Sequence, residues 1–216
     1  MVTMLVYYSF PYLTMINGGP WPVELRPDHP YRSIEGFYEF KRSEIKNYST
    51  YKNNEHHYTT STTWNVIFPK FMKDFGIDYD TNDYTFVHYT SEGADLSYHD
   101  YNKEMDVSVI CGDEVFDHLR DLNGTRLTAY HRLFIAPHKG SVVINNTAKT
   151  NRVLKLNCDS MTIPLIPLIA PYFKKIYVND YRYEYVKYYD FFKDANDITD
   201  ECYAYLTCNF IRIFGR

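Results

Sequence analysis

Two short segments of the chain carry residues that can do chemistry together. Asp159-Ser160 follows an apolar run, Arg152 to Cys158, and precedes a Pro-punctuated apolar segment from Thr162 to Phe173. A serine placed where a strand gives way to helical turns has its hydroxyl beside backbone N–H groups, which stabilise negative charge on an adduct at that hydroxyl. The hydroxyl is a weak nucleophile until an imidazole takes its proton and an acid holds that imidazole in one tautomer. Glu55-His56-His57 contains both groups. Alternate residues of an extended chain point to one side, so Glu55 and His57 can be presented together. The same residue types also serve plainer ends: Asp-Ser after a strand is a common helix cap, and a His pair in a Tyr-rich stretch is ordinary polar surface.

Metal ligation is a rival use of these side chains. The eight histidines are plentiful, and imidazole with carboxylate suits zinc. Their spacing does not, because His56 and His57 are adjacent rather than one helical turn apart and no second tight pair occurs. No metal and no cofactor are expected. Cys158 lies inside an apolar run and reads as a small core residue rather than a thiol nucleophile. Asn209, at the end of the last apolar run, can lean over the same edge as a hydrogen-bond donor, although Asn there is also usual turn chemistry.

The elements that must position these residues follow from periodicity. Trp64, Ile67, Phe68, Phe71, Met72 and Phe75 recur at helical spacing, with a Ser and Thr cluster before them and Gly76 after, which predicts a helix over Ser61 to Phe75 kinked or broken at Pro69. Tyr84 to Tyr89, Val107 to Cys111, Arg132 to Ile135 and Ser141 to Ile144 read as strands. Arg152 to Cys158, the helical turns of Thr162 to Phe173, and Lys175 to Asp180 form a compact βαβ unit, so the two strands are expected to be parallel with a right-handed connection. Tyr203 to Cys208 adds another strand. The order predicts an α/β fold with reactive residues at the carboxyl ends of parallel strands. Six Gly and Pro residues between Gly18 and Pro30 argue for an irregular N-terminal arm, residues 1–30, ahead of one domain, residues 31–216.

Composition narrows the partners. Lys plus Arg number 23 against 27 Asp plus Glu, a net charge of −4, so there is no broad positive field for a nucleic acid. No apolar run reaches the roughly 20 residues of a membrane helix, and the N-terminus has no charged start followed by an apolar stretch. The expectation is a soluble chain without a signal peptide, cytoplasmic or virion-associated. Four cysteines without a C-x-x-C pair are expected as free thiols. The 23 tyrosines exceed what packing needs and suit contacts with sugars or other chains, while the absence of Gln fits a biased genome.

The segment Asn54-Glu55-His56-His57-Tyr58-Thr59-Thr60, followed by an aromatic-rich helix ending in Gly76-Ile77, resembles the T-D-H-H-W-T motif and helix of the DHHW proteins, SGNH-hydrolase-like proteins related to alginate O-acetylation enzymes. Leu154 to Ser160, Pro164 to Tyr172 and Ile176 to Tyr183 are similar to that family's Asp-Ser strand, its "V-P-F-L-A-P-H-Y" turn and its "I-Y-V-I-D-x-R-Y". Tyr130 to Phe134 and Val143 to Thr147 match the region before the Asp-Ser strand. The resemblance implies an SGNH-hydrolase-like three-layer sandwich with a central, mostly parallel sheet, acting as esterase or acetyltransferase on O-acetylated carbohydrate. By position Ser160 is the nucleophile, His57 the base and Glu55 the orienting acid, with His56, Tyr58, Asp159 and Asn209 as binding residues. The chain departs from the pattern at Glu55 for Asp, at Tyr58 for Trp, and at Met161-Thr162-Ile163 for the small and amide residues after the serine. The secretory or anchoring N-terminus usual in the family is also expected to be absent. A second reading therefore stands beside the enzyme: a catalytically degenerate structural or glycan-contacting protein on the same scaffold, such as a phage virion component, joined to other subunits through its arm.

Overall fold

A computed structural model describes residues 2–7, 37–39, 60–88, 90–91, 94–95, 97–120, 140–148, 150–159, 162–180 and 190–206. Its centre is an eight-stranded sheet built from β1 (Val2–Tyr7), β2 (Phe37–Glu39), β7 (Val107–Cys111), β8 (Glu114–Phe116), β9 (Ser141–Asn146), β10 (Val153–Cys158), β11 (Lys175–Asp180) and β12 (Asp200–Leu206), in the order β2-β1-β12-β10-β11-β9-β7-β8. Two small ribbons stand apart from it: β3 (Tyr84–Val87) with β6 (Tyr98–Tyr101), and β4 (Thr90–Ser91) with β5 (Ala94–Asp95). The class is α/β, as the element order predicted.

The sheet is mixed rather than mostly parallel. Strands β2, β1, β12, β10 and β11 pair in parallel, while β9, β7 and β8 run antiparallel. The reversal has a local cause at β7 and β8, whose ladder closes at Cys111↔Glu114 over Gly112-Asp113. Gly112 has φ +61°, a conformation a two-residue hairpin needs and a residue without Cβ adopts freely, and so short a turn cannot return a strand in parallel. Within the expected arm 1–30, Val2–Tyr7 is instead a strand inside the sheet, held in parallel between β2 and β12. Residues 8–30 and Arg132 to Ile135 lie outside the described residues.

Alternation along the strands sorts their side chains onto two faces. One face is dry: Leu154, Leu156, Cys158, Ile176, Val178, Cys202 and Ala204 are buried in one cluster with the helical segments. The first helical stretch, α1, covers 60–74 and contributes Ile67, Phe68, Phe71 and Met72 at 0–1% exposure. Its middle, Thr63–Ile67, is wound as a π turn in which the N–H of Phe68 bonds to the carbonyl of Thr63, and regular α-helix resumes over Phe68–Asp74 with Pro69 in its first turn. The expected break at Pro69 thus falls just before it, where the missing proline N–H removes an ordinary bond across one turn. The second stretch, α2, runs over 163–172 as 3-10, α and 3-10 turns; its three prolines each sit at the start of a turn, where no N–H is needed.

The β10–α2–β11 unit has its expected parallel pairing, from Val153↔Lys175 to Cys158↔Asp180. On the opposite face of the sheet the central strands present Lys155, Asn157, Tyr177, Asn179, Glu201 and Tyr203, and the segment 190–197 lies over them, with Phe192 against Tyr177 and Asp190 on Lys155. Among the described residues, Cys111, Cys158 and Cys202 are buried and form no disulfide.

Candidate functional site

Strand β10 lies inside the parallel half, with β11 on one side and β12 on the other. The chain leaves its carboxyl end toward β11 and later returns to β12 on the opposite flank. A crevice forms outside the strand ends where successive connections diverge in this way, and α/β proteins place their ligands there. Asp159, the first residue past β10, is fully buried. The N–H of Thr162 donates to the carbonyl of Asp159 at 3.1 Å, so the backbone reverses tightly at this edge, and the Thr162 hydroxyl donates to the carbonyl of Ala204 at 2.8 Å, pinning the turn to β12.

The start of α1 reaches the same region. Thr63–Ile67 packs against Ile163–Leu165, the first turn after the Asp159 reversal. Thr60, at the head of the helix, donates its hydroxyl to the carbonyl of Ser97 at 2.7 Å, which ties the entry of α1 to β6. Trp64 stacks flat on His99 of β6, with ring centroids 4.0 Å apart and 5° between planes, and Phe86 lies on His99 from β3 at 5.2 Å. Burial holds the His99 imidazole below its ordinary pKa, and its Nδ1 is a buried atom with no hydrogen-bond partner.

Of the residues predicted for the site, Asp159 is described and sits at the carboxyl edge as expected. Glu55, His56, His57, Tyr58, Ser160 and Asn209 lie outside the described residues. Their described flanks are Asp159 and Thr162 on either side of Ser160 and Thr60 three residues beyond His57, and the fold joins the two segments through Thr63–Ile67 packed on Ile163–Leu165. An extended chain advances at most about 3.6 Å per residue, so three residues span no more than about 11 Å.

Two groups at this edge were not singled out from the sequence. Asp180 ends β11 fully buried, in register with Cys158, with its N–H donating to the carbonyl of Gly140 at 2.8 Å. Below it lies a polar network: Asn157 donates to Glu201 at 2.9 Å, Asn179 donates to Asn157 at 2.8 Å, and Tyr203 donates to Glu201 at 2.9 Å. Lys155 joins it through Asp190 and, at 3.4 Å, Glu201. The signal for the network was present in the sequence as polar residues at alternate positions of otherwise apolar strands. Among the described residues no group of three or more His, Cys, Asp or Glu side chains is arranged to hold a metal ion.

No protein-family profile and no curated protein matches the chain. Solved structures do. A DHHW family protein from Eubacterium siraeum aligns over 95% of this chain and 77% of its own length with a TM-score of 0.67 at 15% identity. Bacillus cereus PatB1 carrying a sulfonyl adduct aligns over 97% of this chain and 82% of its own with a TM-score of 0.66 at 18% identity, and a second structure of PatB1 aligns over 95% of this chain and 83% of its own with a TM-score of 0.62 at 18% identity. The resemblance read from the motifs is therefore borne out at the level of fold: the chain shares a mixed α/β fold with a DHHW family protein and with PatB1.

Proposed function

We propose that this chain is an SGNH-like serine ester hydrolase or acetyltransferase acting on O-acetylated carbohydrate, the sheet forming the middle layer of a three-layer sandwich. The reading is carried by one observation, the Asp159 reversal at the carboxyl end of β10 with the entry of α1 packed beside it, because this joins the flanks of two motifs about a hundred residues apart in sequence. In this mechanism Ser160 Oγ attacks the acetyl carbonyl while His57 takes its proton and Glu55 holds the imidazole. Collapse of the tetrahedral adduct breaks the bond to the sugar oxygen, which takes the proton from His57 and leaves as a hydroxyl, and an acetyl group remains on Ser160. Water then yields acetate, or a second sugar hydroxyl carries the acetyl group away, with His57 as base again. The sulfonyl adduct on PatB1 supports the chemistry by analogy, since sulfonyl groups are taken up by activated nucleophiles.

The test is hydrolysis of a chromogenic acetyl ester by the purified protein beside Ser160→Ala and His57→Ala. Removal of either member of such a triad is expected to lower turnover by about a thousandfold or more. Equal rates in all three proteins would overturn the enzyme and leave the catalytically degenerate, glycan-contacting or structural protein, the reading that Glu55, Tyr58 and Met161 favour by departing from the family pattern.

A further inference from the structure

The edge of the sheet opposite Asp159 carries a separate cavity of about 620 Å³. It opens where β9 ends and β10 and β11 begin, and it is closed by the C-terminal end of α1 and the chain following β6. Six residues of β10 at about 3.3 Å each put it about 20 Å from the carboxyl edge, so one small ligand does not occupy both. The volume lies within the range of ordinary small-molecule sites.

The walls are held in place from behind. The Arg152 guanidinium donates to both carboxylate oxygens of Asp200 at 2.7 and 3.0 Å and to the carbonyl of Phe75 at 2.9 Å, and it lies over the rings of Phe75 and Phe173 at 5.8 and 5.4 Å. Asn146, 8% exposed, donates its amide to the carbonyl of Ala170 at 3.1 Å. The Tyr172 hydroxyl stands 3.3 Å from that of Tyr84, whose own hydrogen goes to the carbonyl of Leu168 at 2.7 Å. Tyr101 packs edge-on against Tyr84 at 5.3 Å. A ligand therefore meets side chains whose ordering is already accomplished, which favours binding.

The character of the walls selects the ligand. The two cations there are already balanced, Arg152 by Asp200 and Lys103 by Asp83 at 2.6 Å, and Glu104 adds a negative charge. Among the described residues of the lining, a phosphate or a nucleotide finds no uncompensated positive charge. Tyr101 and Tyr172 bring aromatic rings, and Asn146, Thr147 and Thr150 bring neutral donors and acceptors. Aromatic faces with neutral hydrogen-bonding groups match the C–H faces and hydroxyls of a sugar. We infer that this amino-edge cavity is a second, non-catalytic site for a neutral saccharide, separate from the ester chemistry and independent of whether that chemistry occurs.

Saturation-transfer NMR on the full chain, with cellobiose, maltose and diacetylchitobiose as probes and inorganic phosphate as a comparison, tests the assignment. At least one disaccharide is expected to show transfer. Thr147 is exposed, so Thr147→Trp fills the mouth without touching the core, and it should abolish that transfer. Tyr101→Ala, checked for folding by circular dichroism, should weaken binding about fivefold by removing one aromatic face. Ser160→Ala should bind as the parent does, which keeps this site distinct from the esterase reading. No transfer from any of the disaccharides, binding of phosphate alone, or transfer that survives both Thr147→Trp and Tyr101→Ala would overturn the proposal.

Discussion

Replacing Lys155 by Met tests whether the polar face of the sheet is structural. Its side chain is 8% exposed, and the carboxylates that meet it, Asp190 and Glu201, are 22% and 25% exposed. Removing one partner of a fully buried pair costs about 3–5 kcal/mol, because the remaining charge keeps its desolvation penalty and loses its compensation. An exposed pair costs at most about 1 kcal/mol. The partners here retain some water, so the expected loss is about 2–3 kcal/mol. At about 2–4 °C per kcal/mol for a domain of this size, the midpoint of thermal unfolding should fall by about 4–12 °C. Lys175 provides the control, since it pairs with Asp197 at 2.6 Å with exposures of 27% and 39%, and Lys175→Met should cost less than about 1 kcal/mol. Adding Asp190→Asn to Lys155→Met should recover part of the loss by removing one uncompensated charge. Urea denaturation of the three variants reads these differences directly. Equal stabilities of Lys155→Met and Lys175→Met, or no recovery in the double variant, would show that the network is solvated and does not lock the strands.

Three further outcomes follow from the titrating groups and the turn. Burial depresses the pKa of His99, so the unfolded chain binds a proton first; stability should be full above the ordinary histidine value of about 6.5 and fall as pH drops through it toward the folded value. Urea midpoints of His99→Phe should lose that slope between about pH 5 and 7 relative to the parent, and an unchanged slope would show the imidazole to be solvated. Burial raises the Asp200 carboxyl, but hydrogen bonds from Arg152 and Thr199 outweigh it and the net shift is downward, so its contribution is present above about pH 4 and lost as pH falls through the folded value. Asp200→Asn should therefore narrow the gap to the parent under acid, a comparison circular dichroism at pH 2 to 5 resolves. Ser160→Ala should shift the thermal midpoint by less than about 2 °C if the hydroxyl is a free nucleophile, whereas a loss above about 2 kcal/mol would make it a structural cap.

Local pattern was enough to read the centre of the molecule. Strands β10 and β11 and the helical turns between them are bounded by Pro, Asp and Lys, and their apolar periodicity survives packing because they are the core. The first strand was not legible because six Gly and Pro residues between Gly18 and Pro30 dominate the N-terminal sequence, while the short run Val2–Tyr7 gives no sign that it pairs with β12, some two hundred residues away. Such pairing depends on neighbours that no local window contains. The antiparallel half was legible in part: Gly112-Asp113 between two β-rich runs is a hairpin signal. Of the site, the strand end at Asp159 was legible, because a reactive edge follows from a βαβ order. Lys155 and Asn157 were legible as an alternation of polar residues, but their burial was not, since a Lys in a strand is ordinarily read as facing water.

That polar face bears on the carboxyl edge itself. Parallel strands covered on both sides usually read as continuous apolar runs and slide with little penalty for register. Here a shift of β10 by one residue would carry Lys155 and Asn157 onto the dry face beside Phe71 and Met72 and bring Leu154 and Leu156 against Glu201 and Asp190. Each misplaced polar group would lose its hydrogen bonds inside the core at about 1–3 kcal/mol, and the Lys at more. Register is thus fixed by penalties on the wrong alignment as well as by contacts in the right one. Asp159 inherits that precision, because the length of β10 past the Asn157–Asn179–Glu201 layer is a single residue, which leaves little slack between the layer and the strand end.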